Sequence, residues 1–163
     1  MSLRTILTQG DPALSKRCRP VEHFDAKLHD LLADMKETLA QANGVGLAAP
    51  QIGILRRVVV VLDDDDQAIE LVNPEIVRTA GEQTGLEGCL SVPGKYGVVT
   101  RPFEVTVRAQ DRNGAFFEVT GKEIVARCFC HELEHLDGHL FVEHTDRLFT
   151  VEELDAMAEE EDA

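Results

Sequence analysis

Apolar residues fall into two rhythms along this chain. Leu28, Leu31, Leu32, Met35 and Leu39 recur at helical spacing, which predicts a long helix with one apolar face. Asp25 stands where its N-cap belongs, and Gly44 follows the end of the pattern. Later the rhythm shortens, and residues 58–62, 69–73, 76–78, 105–109 and 116–119 read as short strands. Asp111-Arg112-Asn113-Gly114 joins the last two, and Asn-Gly favours a tight hairpin turn. A second helix is predicted from Thr120 and Glu123, read as a T-x-x-E capping box, to Gly138, which suits a left-handed helix end. Residues 1–23, with Asp11-Pro12 and Arg19-Pro20, are expected to be irregular, with Cys18 a packed or partly exposed thiol. No strand–helix–strand alternation appears. The expected fold class is therefore α+β, mostly antiparallel sheets packed around the second helix.

Length and composition narrow the class further. At 163 residues, one catalytic domain over residues 1–163 is expected, with an acidic, frayed tail from about residue 150. The longest apolar runs, residues 58–62 and 44–50, are far too short to span a bilayer. No charged-then-apolar leader opens the chain, so a cytoplasmic protein without a membrane partner is expected. Four cysteines without a repeating spacing fit a reducing compartment. A net charge of −14 argues against DNA or other nucleic acid as the main partner, since phosphate binding needs clustered Lys and Arg. Much of that charge sits in Asp63-Asp64-Asp65-Asp66 and Glu159-Glu160-Glu161-Asp162. The first run lacks the alternating ligands and glycine of a Ca²⁺ loop, which leaves a solvated turn.

The chemistry concentrates in Cys128-Phe129-Cys130-His131-Glu132-Leu133-Glu134-His135. On a helix, His131 and His135 stack one turn apart and can grip one metal ion, while Glu132, about 100° round, can reach a water on it. Cys128 lies on the same face, but a row of three along one straight helix spans roughly 10 Å, too long for one ion. The third ligand must come from elsewhere. Phe141 stands where one zinc-protease pattern places a histidine. A glutamate from the tail, Glu152 or Glu153, would make the chain an H-E-x-x-H metallopeptidase. Cys89 is the stronger choice, because Gly88 and Pro93-Gly94 shape the segment at 85–94 to present a thiolate. A Cys-His-His set leaves one coordination position for water, the arrangement of a catalytic site. The glycine-rich segment at 44–53 allows two readings. It is either a tight turn with one buried amide, or a substrate-facing strand edge with Gln51 as a donor.

Gly44-Val45-Gly46-Leu47-Ala48-Ala49-Pro50-Gln51, Glu87-Gly88-Cys89-Leu90-Ser91 and His131-Glu132-Leu133-Glu134-His135 resemble, in order and spacing, the three signature motifs of bacterial peptide deformylase. The similarity runs from about Arg4 to Phe141 and includes Gly10-Asp11-Pro12 and Asn73-Pro74-Glu75-Ile76. The resemblance implies a metal-dependent hydrolase that removes the formyl group from N-formylmethionine of nascent peptides and releases formate. It implies Cys89, His131 and His135 as metal ligands and Glu132 as general base. Gln51 and the N–H of Leu90 would bind the oxyanion. Val45, Ile124 and Cys128 match positions lining the methionine pocket, and the Gly46 backbone would pair with the peptide in strand fashion. Arg101 is expected to hold Glu134 and so tie ligand helix to ligand loop. One divalent ion per chain is implied, Fe(II) in the cell. Zn, Ni and Co also suit a thiolate with two imidazoles. Three departures stand out. Glu134 occupies a position where Asp is commoner, Cys130 one where Gln is common, and the acidic tail differs from basic tails that dock some relatives on ribosomes.

Overall fold

A computed structural model describes residues 2–162. In chain order it contains α1 (Ala26–Ala42), β1 (Gly46–Ala48), β2 (Val58–Leu62), β3 (Ala68–Ala80), β4 (Gln83–Cys89), β5 (Val92–Arg101), β6 (Glu104–Gln110), β7 (Phe116–Lys122), α2 (Ile124–His135), β8 (Leu148–Thr150) and α3 (Val151–Asp162). Short 3-10 turns lie at Pro12–Ser15, Ala49–Ile52 and Phe141–His144. The strands form two antiparallel sheets, one ordered β1-β2-β3-β6-β7 and the other β4-β5-β8. The fold class is α+β, as the apolar rhythm predicts.

The unbroken apolar run in β2 follows from burial on both faces. Val58 and Val60 pack with Leu32, Met35 and Leu39 of α1. Val59 and Val61 face the other way, against Ala126, Phe129 and Leu133 of α2. The α1 boundaries match the sequence pattern: the Asp25 carboxylate accepts from the Leu28 N–H at 3.2 Å, and Asn43, at φ 55°, makes the left-handed exit just before Gly44. Residues 69–73 and 76–78 belong to one long strand, β3, whose register shifts twice near Asn73. Asn73 tolerates the left-handed φ of 50° there, and its side chain bonds to Val21 and Gln110.

Three local expectations come out differently in the folded chain. Thr120 does not open α2; it lies in β7, where its hydroxyl meets that of Thr106 at 2.8 Å. Glu123 turns the chain at φ 54° without a side-chain cap. The segment at 85–94 is the tip of a hairpin: Cys89 ends β4 and Val92 starts β5. The acidic tail forms α3. Its start carries a reciprocal pair, with Thr150 Oγ1 accepting from Glu153 N at 3.2 Å and Glu153 Oε1 from Thr150 N at 3.4 Å. Among the described residues, no helix is long and apolar enough to cross a membrane.

Candidate metal centre and active site

α2 lies between the two sheets, and its polar face turns towards the tip of the β4–β5 hairpin. His131 and His135, one turn apart, bring their Nε2 atoms to 3.3 Å, and Cys89 Sγ lies 3.4 Å from His135 Nε2. All three donor atoms fall within 4.8 Å of one another. The two shorter separations match the edges of a tetrahedron whose bonds are about 2.0–2.3 Å long. Among the described residues this group is the one that can hold a metal ion. Glu152 and Glu153 are not part of it.

The surroundings aim the donors. His131 Nδ1 meets Glu87 Oε1 at 2.6 Å, and donating there leaves the Nε2 lone pair facing Cys89 and His135. Burial above all pushes His135 down to about 3, so its ring is neutral and keeps a lone pair on one of its two nitrogens. Glu87 is the hub. It accepts from Arg101 at 2.7 and 3.2 Å and from Arg127 at 2.8 Å. Burial opposes its charge, but hydrogen bonds from His131 and Arg101 hold the carboxyl at about 2. Arg101 does touch Glu134, yet its two-point grip goes to Glu87, and Glu134 is shared with His144.

Glu132 is buried beside these donors, and burial raises its carboxyl to about 7. Its Oε1 has no partner among the described residues. Gly46 is what lets it fit there. A Cβ at that position would lie 2.6 Å from Glu132 Oε2. Gln51 is also buried; its Oε1 accepts from Ala48 N at 2.9 Å, and its Nε2 donates to Ser91 Oγ at 3.0 Å, with Cys89 Sγ 3.6 Å away. The N-terminal segment braces both walls, through Leu7 N to Gln51 O and Gln9 N to Ser91 O, each 2.7 Å.

A cavity of about 550 Å³ opens onto this cluster, and Val45, Gly46, Leu90, Ile124, Cys128 and Glu132 all line it. Val45 and Ile124 form its exposed apolar rim, at 50% and 65% accessibility. Burial, with the charges of Glu132 and Glu87, pushes the Cys128 thiol up to about 12, so it lines the wall as a neutral group. Among the described residues β1 pairs only with β2, and its other edge lies along this cavity. The sequence pattern assigns no role to Glu87, the hub, to Arg127, which donates to it, or to Ser91, whose N–H points at Cys89 Sγ at 3.4 Å. The one signal for Glu87 was an acid two positions before Cys89, among small and apolar neighbours.

Residues 3–150 match the family described as polypeptide deformylase. The chain belongs to the peptide deformylase family. It is 55% identical over 146 residues to a peptide deformylase of Agathobacter rectalis, covering 90% of this chain and 92% of that one. It is 48% identical over 159 residues to one from Caldanaerobacter subterraneus subsp. tengcongensis, covering 98% and 99%. The fold is similar to the crystal structures of peptide deformylases from Legionella pneumophila (TM-score 0.85, 43% identity, 98% of both chains) and Thermotoga maritima (TM-score 0.86, 35% identity, 90% of this chain and all of that one). This chain is therefore a hydrolase of the metal-dependent kind that removes the N-formyl group from new polypeptides, rather than a metallopeptidase.

Proposed function

We propose that residues 1–163 form one cytoplasmic catalytic domain that deformylates N-formylmethionine with a single Fe(II) ion held by Cys89, His131 and His135. Zn, Ni or Co would fit the same donors. The observation that carries this reading is a buried, unpartnered carboxylate, Glu132, beside three converging donor atoms. When bound, a divalent ion supplies the charge that acidifies water and polarises a carbonyl oxygen.

The chain's own groups do the rest. The substrate backbone adds to the open edge of β1 at Gly46, and the methionine side chain enters between Val45, Ile124 and Cys128. Glu132, poised near neutrality, takes a proton from the attacking water. The Gln51 amide turns from Ser91 towards the developing oxyanion, joined by the Leu90 N–H. The new bond joins water oxygen to the formyl carbon, the C–N bond breaks, and Glu132 returns its proton to the amine nitrogen. Formate and a free N-terminus leave. Contact with the ribosome is transient and does not run through α3, which carries acids and no Lys or Arg.

Formate release from formyl-Met-Ala, with and without Fe(II), tests the assignment. Glu132→Gln should keep its metal and lose at least ~10²-fold in turnover, the lower range for acid–base catalysis. Cys89→Ala should lose tight metal binding. Near-normal release by Glu132→Gln, or full metal in Cys89→Ala, would sink the respective role.

A further inference from the structure

Glu134 differs from a shorter aspartate by one methylene, and the structure shows where that length goes. One oxygen of its carboxylate meets Arg101 Nη1, and the other meets His144 Nε2. His144 ends the Phe141–His144 turn, an element remote from Arg101 in sequence. That turn touches both arms of the metal site. The Phe141 ring stacks on His131, with centroids 5.9 Å apart and planes 25° from parallel. The same ring is buried with Val92 and Val99 of β5, and Cys89 packs against that cluster.

The turn is held at both ends. Gly138, at φ +84°, brings the chain so close to Ser15 that a Cβ would lie 2.7 Å from its carbonyl. Beyond the turn, Thr145 packs where Gly97 has no side chain; a Cβ there would lie 2.6 Å from Thr145 Cγ2. Between these points the His139 N–H donates to Glu134 O at 3.1 Å, and the Glu134–His144 contact is, among the described residues, the side-chain bond that joins the turn itself to α2. Releasing it frees the segment that presses Phe141 on His131, but opens no void, because His144 itself is about half exposed.

We propose that His144 is a positioning residue for the metal centre: with Arg101 it clamps the Glu134 carboxylate, and so holds Phe141 against His131. The proposal rests on Cys89, His131 and His135 being the ligand set.

The test uses the Co(II)-loaded protein and two readouts: the rate of metal loss to excess chelator, and the visible absorption of the bound ion. His144→Ala should lose metal about 10-fold faster, at the lower end for residues that orient ligands, and shift the absorption. His144→Gln, which keeps an N–H donor, should restore much of the loss. In a Glu134→Ala background, which has no carboxylate for His144 to hold, His144→Ala should add nothing. Phe141→Leu should reproduce the His144→Ala spectrum. Wild-type metal loss and spectrum in His144→Ala, or an equal effect of His144→Ala in both backgrounds, overturns the proposal. Cys89→Ala, measured alongside, separates the two failures: if it keeps its metal, the ligand set itself is wrong and the proposal falls with it.

Discussion

The two long faces of α2 are held by different physics. Towards the five-stranded sheet it presents Val125, Ala126, Phe129 and Leu133, packed with Val59, Val61, Val105 and Val107. Towards the hairpin it presents His131, Glu134 and His135, facing Glu87, Cys89 and Arg101. The first face is stabilised by apolar area, which is non-directional and tolerates similar shapes. The second is stabilised only while every charge keeps its partner, because removing one strands the others in a dry site. One helix thus carries a forgiving anchor and an unforgiving template. The anchor sets where the helix lies, and the template sets the ligand geometry.

Cutting the template should cost most. Arg101 is buried between Glu87 and Glu134, so Arg101→Ala should lose about 3 kcal/mol or more in urea unfolding, together with weaker metal retention. A double-mutant cycle with Glu134→Gln checks the contact; strictly additive losses would mean the two side chains do not act together. The template should also fail first in acid. Glu87 sits at about 2 in the fold against an ordinary 4.5. Its contribution is therefore complete above pH 4.5 and is lost as the pH falls towards 2. Unfolding midpoints should drop across that window in wild type and far less in Glu87→Gln; parallel profiles would remove Glu87 as the hub.

On the anchor face, Phe129→Leu should cost only about 1–2 kcal/mol and leave metal stoichiometry and KM unchanged. A changed metal content would show that the two faces are not separable. The smallest effect belongs to the helix starts. Thr150→Ala should speed amide exchange in α3 by about 1 kcal/mol of lost capping. Thr120→Ala should leave the start of α2 as it is, since Thr120 bonds across strands to Thr106.

The sequence by itself determined the elements whose cause is local. The stripe from Leu28 to Leu39 and the Asp25 cap define α1, and Asn113-Gly114 joins β6 to β7. The His131–His135 spacing belongs to helical geometry, so the candidate metal-binding pair was legible before any fold. Burial leaves a periodic trace in the chain, and short-range hydrogen bonds leave their residue types at fixed offsets. Tertiary structure decided what depends on distant partners. Thr150 and Glu153 meet across a helix start, while β6 draws Thr120, three before Glu123, into a sheet ladder. Glu87 became the hub because α2 and β5 bring His131, Arg101 and Arg127 to one carboxylate. Glu134 divides between Arg101 and His144 for the same reason. A charged residue carries no periodic mark of its partner, so only the packed chain chooses among them.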